Sequence, residues 1–178
     1  MAFLVESSLQ RPGAATANAT IDGRLLTVYL RDHHALLVVL AELAGRVSGR
    51  RDERHAFAQE LSEAAADDRA CLEAVLARLG SGPSHSRQAA MWTAEKLGRL
   101  KLNGRVVRPS PLSAVTELEG CRLMLESDRA LWSGLAGLAL GPADAAERAQ
   151  RAERLLATAE ELRSEALAAA IRAAAQRA

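Results

Sequence analysis

The sequence predicts an all-α protein, an antiparallel four-helix bundle built from two helical hairpins. Three observations carry that reading. Apolar residues recur at three- and four-residue steps over long stretches, Ala, Leu, Arg and Glu dominate those stretches, and Gly or Pro breaks the pattern between them. The 178 residues are 49% hydrophobic, which suffices for one domain with a substantial core.

Residues 1–23 read as a flexible N-terminal arm, because Pro12, Gly13, Thr16, Asn18 and Thr20 follow without periodicity. Residues 24–178 read as the bundle domain. The apolar run near Met1 is short, carries Glu6 and lacks a basic flank, so neither a signal peptide nor an anchor is expected; the default location is cytoplasmic.

Asp22 is placed to cap the first helix. Its stripe is Leu26, Leu30, Leu37, Leu40, Ala44 and Val47, with His33 in the missing step. The second stripe is Phe57, Leu61, Ala64, Leu72, Val75 and Leu79, with Asp68 in the gap, and Gly80, Gly82 and Pro83 end it. A short extra helix is expected over Ser84–Arg99, then an extended stretch over Leu100–Arg108 with a turn at Asn103-Gly104. Ser110-Pro111 starts the third long helix, which carries Leu118, Leu125, Trp132 and Leu135. Gly141-Pro142 separates it from the last, with Leu155, Ala159, Leu162 and Ala166 inward.

A short turn within each pair makes antiparallel neighbours. The 80–110 connection is long enough to run the length of a bundle, so a ferritin-like crossover is favoured over a plain up-down bundle.

Charge and composition exclude several function classes. With 23 Lys+Arg against 22 Asp+Glu, the chain lacks the basic excess of a nucleic-acid binder. Phe3, Tyr29, Phe57, Trp92 and Trp132 are too few to stack bases. Cys71 and Cys121 are isolated and read as small core residues of a reducing compartment.

A first turn centred between Arg50 and Arg51 sets His33 level with Asp68, and Asp32 level with Arg69. A neutral His33 donating to Asp68 would satisfy both groups in the core. A second turn near Gly141 sets Glu119 level with Arg163 and Arg122 level with Glu160. Asp32, His33, Asp68, Arg69, Glu119 and Arg163 are therefore the candidate polar core cluster, read first as packing locks and second as a site; for Glu119–Arg163 the first reading is an interhelical ion pair on the bundle's flank. His34 shares a stripe with Thr27, Arg31 and Gly45 and is expected to face solvent.

No motif specifies a reaction, and whether the chain is an enzyme stays open. A di-iron bundle needs Glu-x-x-His, which is absent, as is His-x-x-x-His. An unorthodox site from Asp32, His33, Asp68 and Glu119 would support a divergent metal-dependent oxidoreductase, but Arg69 and Arg122 would repel its cation. No metal or other cofactor is expected. In the long connection, Arg87, Lys96, Arg99, Lys101, Arg105 and Arg108 oppose only Glu95. The plainer reading is that these cations neutralise the acidic flanks of the long helices; otherwise Trp92, Lys96, Arg99, Lys101 and Arg105 are the candidate anion-binding residues for a small molecule or a partner surface.

The stretches YLRDHHALLVVLAELAGRVS, AAMWTAEKLGRLKLNGRVVRPSPLSAVTELEG and RALW resemble a group of uncharacterised all-helical proteins of high-GC actinobacteria. Asp32, His33, Trp92, Lys96 and Glu119 stand at recurrent positions of that group, whereas His34 departs from its Leu. The resemblance covers most of the chain after the arm and implies a single helical domain, without implying an activity. The expectation is a non-catalytic binding or protein-interaction module without bound metal, possible as a homodimer, with no nucleic-acid or membrane partner.

Overall fold

The computed structural model describes residues 22–48, 54–83, 112–138 and 141–176. The helices are α1 (Gly23–Ser48), α2 (Arg54–Arg78), α3 (Ser113–Gly137) and α4 (Ala145–Ala175), and the described residues contain no strand. Residues 1–21 of the expected N-terminal arm, the helix expected over Ser84–Arg99 and the extended stretch after it lie outside the described residues, while Gly23 already belongs to α1.

Local chemistry sets the helix ends. Asp22 Oδ1 accepts the backbone N–H groups of Arg24 (2.8 Å) and Leu25 (3.3 Å), satisfying two donors that the first turn leaves free. At the other end of the hairpin's second helix, Gly80 takes a φ of 66°. There Ser81 N–H donates to Leu76 O (2.9 Å) and Gly80 N–H to Ala77 O (3.0 Å), a Schellman stop that favours glycine. Leu112 precedes α3 without a side-chain cap. The start expected at Ser110-Pro111 lies outside the described residues.

In cross-section α1 packs against α2 and α3, and α4 against α3 and α2, so α2 and α3 stand diagonally without helix packing between them. Leu30, Leu40, Leu61, Leu72, Leu118 and Trp132 are fully buried in one core. Each such leucine contributes about 1.5–3 kcal/mol through burial. Gly120 of α3 faces the Leu43 side chain of α1, while His33 of α1 meets Ser127 of α3. Residue numbers therefore rise along α1 as they fall along α3, and the two run antiparallel. Likewise His34 meets Glu73 and Arg31 meets Gly82, so α1 and α2 are antiparallel. No helix among the described residues is long and apolar enough to cross a membrane.

One expectation fails here for a clear reason. His34 is 1% exposed and packs toward α2, while His33 is only partly buried and turns toward α3. A helix that packs on two neighbours buries two adjacent stripes, not one. Leu30, His34, Leu37 and Ala44 form one stripe, and Leu37, Leu40, Ala44 and Val47 form the other.

Candidate functional site

The most unusual chemistry in the interior is a cluster of acids and arginines joining α2, α3 and α4. Asp68 of α2 (1% exposed) follows Leu61 and Ala64 inward, and Asp128 of α3 (5% exposed) follows Cys121 and Leu125. From α4, Arg148 Nη1 donates to Asp68 Oδ1 at 2.6 Å and Arg151 Nη2 to the same oxygen at 2.7 Å. Their forks also hold Asp67, with Arg148 at 2.8 Å and Arg151 at 2.9 Å. Arg148 Nη2 bonds Asp144 (2.8 Å), which is why that carboxylate does not cap α4. The Arg148 guanidinium also lies 5.2 Å from the centre of the Trp132 ring, a cation–π contact with a fully buried indole.

The Asp68 and Asp128 carboxyls face each other inside the cluster and influence each other's protonation. Burial is the largest influence on Asp128, and the neighbouring Asp68 charge adds to it, pushing its carboxyl up to about 8. Burial likewise raises Asp68, against the opposing pull of Arg148 and Arg151. Because both guanidiniums favour the anion on Asp68, the proton of the pair resides on Asp128. Asp67 behaves oppositely: burial works against its charge, but hydrogen bonds from Arg151 and Arg148 win and hold it below the usual carboxylate range. Asp128 Oδ1 and Trp132 Nε1 are buried without a well-formed hydrogen bond, although the indole faces the carboxyl.

The expected cluster is only partly assembled. Asp68 is deep in the bundle, but its partners are Arg148, Arg151 and Asp128 rather than His33. His33 instead lies with Nδ1 3.4 Å from Ser127 Oγ and its ring 4.4 Å from that of Tyr29, edge to face. Burial lowers its pKa, with Asp32 opposing. Asp32 is exposed, and Arg69 is half-exposed, 3.9 Å from Glu73. His34 takes the role foreseen for His33, hydrogen-bonding Glu73 at 2.8 Å. Counting from the loop midpoint assumes that two helices leave a turn level; His34 instead meets Glu73, more than one turn along α2 from the position that count sets opposite it.

In the second hairpin, Arg122 and Glu160 meet at 2.8 Å and Arg163 lies 3.9 Å from Glu119. The Glu119–Arg163 pair lies on the bundle's flank rather than in its core: Glu119 is 47% exposed, one step round from Leu118. Arg163 donates mainly to Glu160, and those hydrogen bonds draw Glu160 down to about 2. Among the described residues, no group of three or more His, Cys, Asp and Glu side chains is arranged to hold a metal ion. Asp32, His33, Asp68 and Glu119 are thus not gathered into such a group. The candidate anion-binding residues Trp92, Lys96, Arg99, Lys101 and Arg105 lie outside the described residues.

Asp128, Arg148 and Arg151 were missed as site residues, yet a signal existed for the first two. Leu118, Cys121, Leu125, Asp128, Trp132 and Leu135 step by three and four with Asp128 in the gap, as Asp68 does on α2. Arg148 similarly falls near the line of Ala145, Ala152, Leu155 and Ala159. Comparison with family models, curated proteins and solved structures yields no match to this chain.

Proposed function

We propose that this chain is a non-catalytic binding module, a protein-interaction domain on a ferritin-like helical bundle without a resident metal. The observation that carries the reading is the state of Asp68. Two guanidiniums converge on one of its oxygens, and the side chain is almost wholly buried, leaving no open face for a substrate or a metal ion. Such a carboxylate fixes helix position.

Support for interaction comes from the surface. Leu25 (69% exposed), Val28 (41%) and Tyr29 (42%) share one face of α1, and a cleft of about 330 Å³ lies between α1 and α2 beside Gly45, His55 and Gln59. The ferritin-like crossover is supported by the antiparallel setting of α1 against both α2 and α3. With those directions, α2 ends and α3 begins at opposite ends of the bundle, which the 84–111 connection has to join. The resemblance to helical proteins of high-GC actinobacteria and a cytoplasmic location belong to the same proposal.

Elemental analysis of full-length protein purified without chelators tests the central point, paired with Asp68→Asn. The expected result is no stoichiometric metal, with the variant losing thermal stability. Stoichiometric iron or manganese that disappears in the variant overturns the reading in favour of the oxidoreductase.

A further inference from the structure

We infer that Asp68 and Asp128 share a single proton and form a pH-sensitive brace across the diagonal of the bundle. The helices that carry them, α2 and α3, stand diagonally and share the apolar core without close approach of their backbones, so the carboxyl–carboxyl contact is a polar link between them through that core. Two carboxyl groups hydrogen-bond only when one keeps its O–H, since a pair of carboxylates offers four acceptor positions and no donor. Arg148 and Arg151 fix the negative charge on Asp68, so Asp128 is the donor.

The surroundings of the pair define when the proton leaves. On α2, Asp67 and Cys71 lie beside Asp68; before and along α4 stand Asp144, Arg148 and Arg151; on α3, Trp132 faces Asp128. From α1, His33 lies against Ser127, next to Asp128, with Tyr29 against its ring. In the shared-proton state the two arginines face Asp67, Asp144 and one charge on the pair. When the Asp128 O–H bond breaks and its proton passes to water, a second buried negative charge appears with no new cation to meet it. The attraction is then replaced by repulsion at the same contact, and the polar link between α2 and α3 is lost. Burial and the Asp68 charge set that step at about 8.

The test is a carbon-detected NMR titration of the aspartate carboxyls in the full chain, with Asp128 assigned by its loss in Asp128→Asn. One carboxyl titrating near pH 8, absent from the variant, is the expected result. If every aspartate resonance has finished titrating by pH 6, the shared proton does not exist. A second readout uses Trp92→Phe, which leaves Trp132 as the sole tryptophan. Its emission should change with the same midpoint and lose that change when Asp128→Asn is added. A flat profile, or a transition that survives the added substitution, overturns the brace.

Discussion

Arg148 lies across the face of Trp132, its guanidinium 5.2 Å from the ring centre, while the same guanidinium donates to Asp68 at 2.6 Å. One side chain thereby couples the largest buried ring of α3 to the buried acid of α2. Removing it strips Asp68 of one counter-charge and uncovers the indole. Arg148→Ala should cost about 3–5 kcal/mol, the range for breaking a buried ion pair by deleting one partner. Arg148→Lys keeps the charge but cannot reproduce a fork that reaches Asp67, Asp68 and Asp144, so it should fall between. Urea unfolding followed by circular dichroism measures both; an alanine variant within 1 kcal/mol of the parent would show that the cluster does not hold the bundle.

Stability should fall as pH rises from about 4 to about 8, and Asp128 should be the reason. Unfolded, its carboxyl has an ordinary pKa near ~4; folded, it keeps its proton up to about 8. Between those values the folded chain binds more protons than the unfolded chain, so this contribution is fully present below pH 4 and is lost progressively toward pH 8. His33 works in the opposite sense: with a folded pKa lowered by burial, its contribution grows as pH rises toward its ordinary range. Asp67 matters only in acid, where protonation removes the benefit of its lowered pKa. The difference between parent and Asp128→Asn isolates the one group. Asp128→Asn should gain on the parent steadily from pH 5 to pH 8.5; parallel curves for the two proteins would contradict the assignment.

Two glycines should respond in opposite directions to alanine. Gly80 ends α2 with a φ of 66°, where a Cβ is strained whatever the space around it. Gly80→Ala should therefore destabilise by about 1 kcal/mol. Gly45 is inside α1, and a Cβ added there would meet nothing within 4 Å. Gly45→Ala should stabilise by roughly 0.5–1 kcal/mol through helix propensity. Thermal melts of the two variants decide this, and a Gly80→Ala protein that melts no lower than the parent would refute the reading of the α2 stop.

The helical hairpins were legible because periodicity and breakers are local: Asp22, Gly80 and Gly141-Pro142 mark boundaries that the structure keeps to within a few residues. The burial of Asp68 was legible for the same reason, as a polar residue in an apolar stripe. Its partners were not. A stripe reports which face is inward, but the identity of the residue opposite depends on register and on which helices are neighbours. His33 was paired with Asp68 by assuming one inward stripe on a helix that has two. Arg148 and Arg151 come from the opposite hairpin, reached only once α2 is known to sit beside α4.

The contrast between Asp68 and Glu119 tests which polar residues the bundle depends on. Asp68 was expected in the core and Glu119 first in an ion pair on the flank; Glu119 is 47% exposed and stands 3.9 Å from an Arg163 that already serves Glu160. Water can solvate whatever Glu119 loses, and screening weakens so long a contact further. Asp68 has no such recourse: removing it takes the one buried counter-charge from two guanidiniums, one only 11% exposed, and leaves them the more exposed Asp67 and Asp144. Asp68→Ala should cost about 3–5 kcal/mol. Glu119→Gln should leave the urea midpoint unchanged at both low and high salt. Equal losses from the two substitutions would mean that the flank of α3 and α4 carries as much of the fold as the buried cluster, contrary to the burial of their side chains.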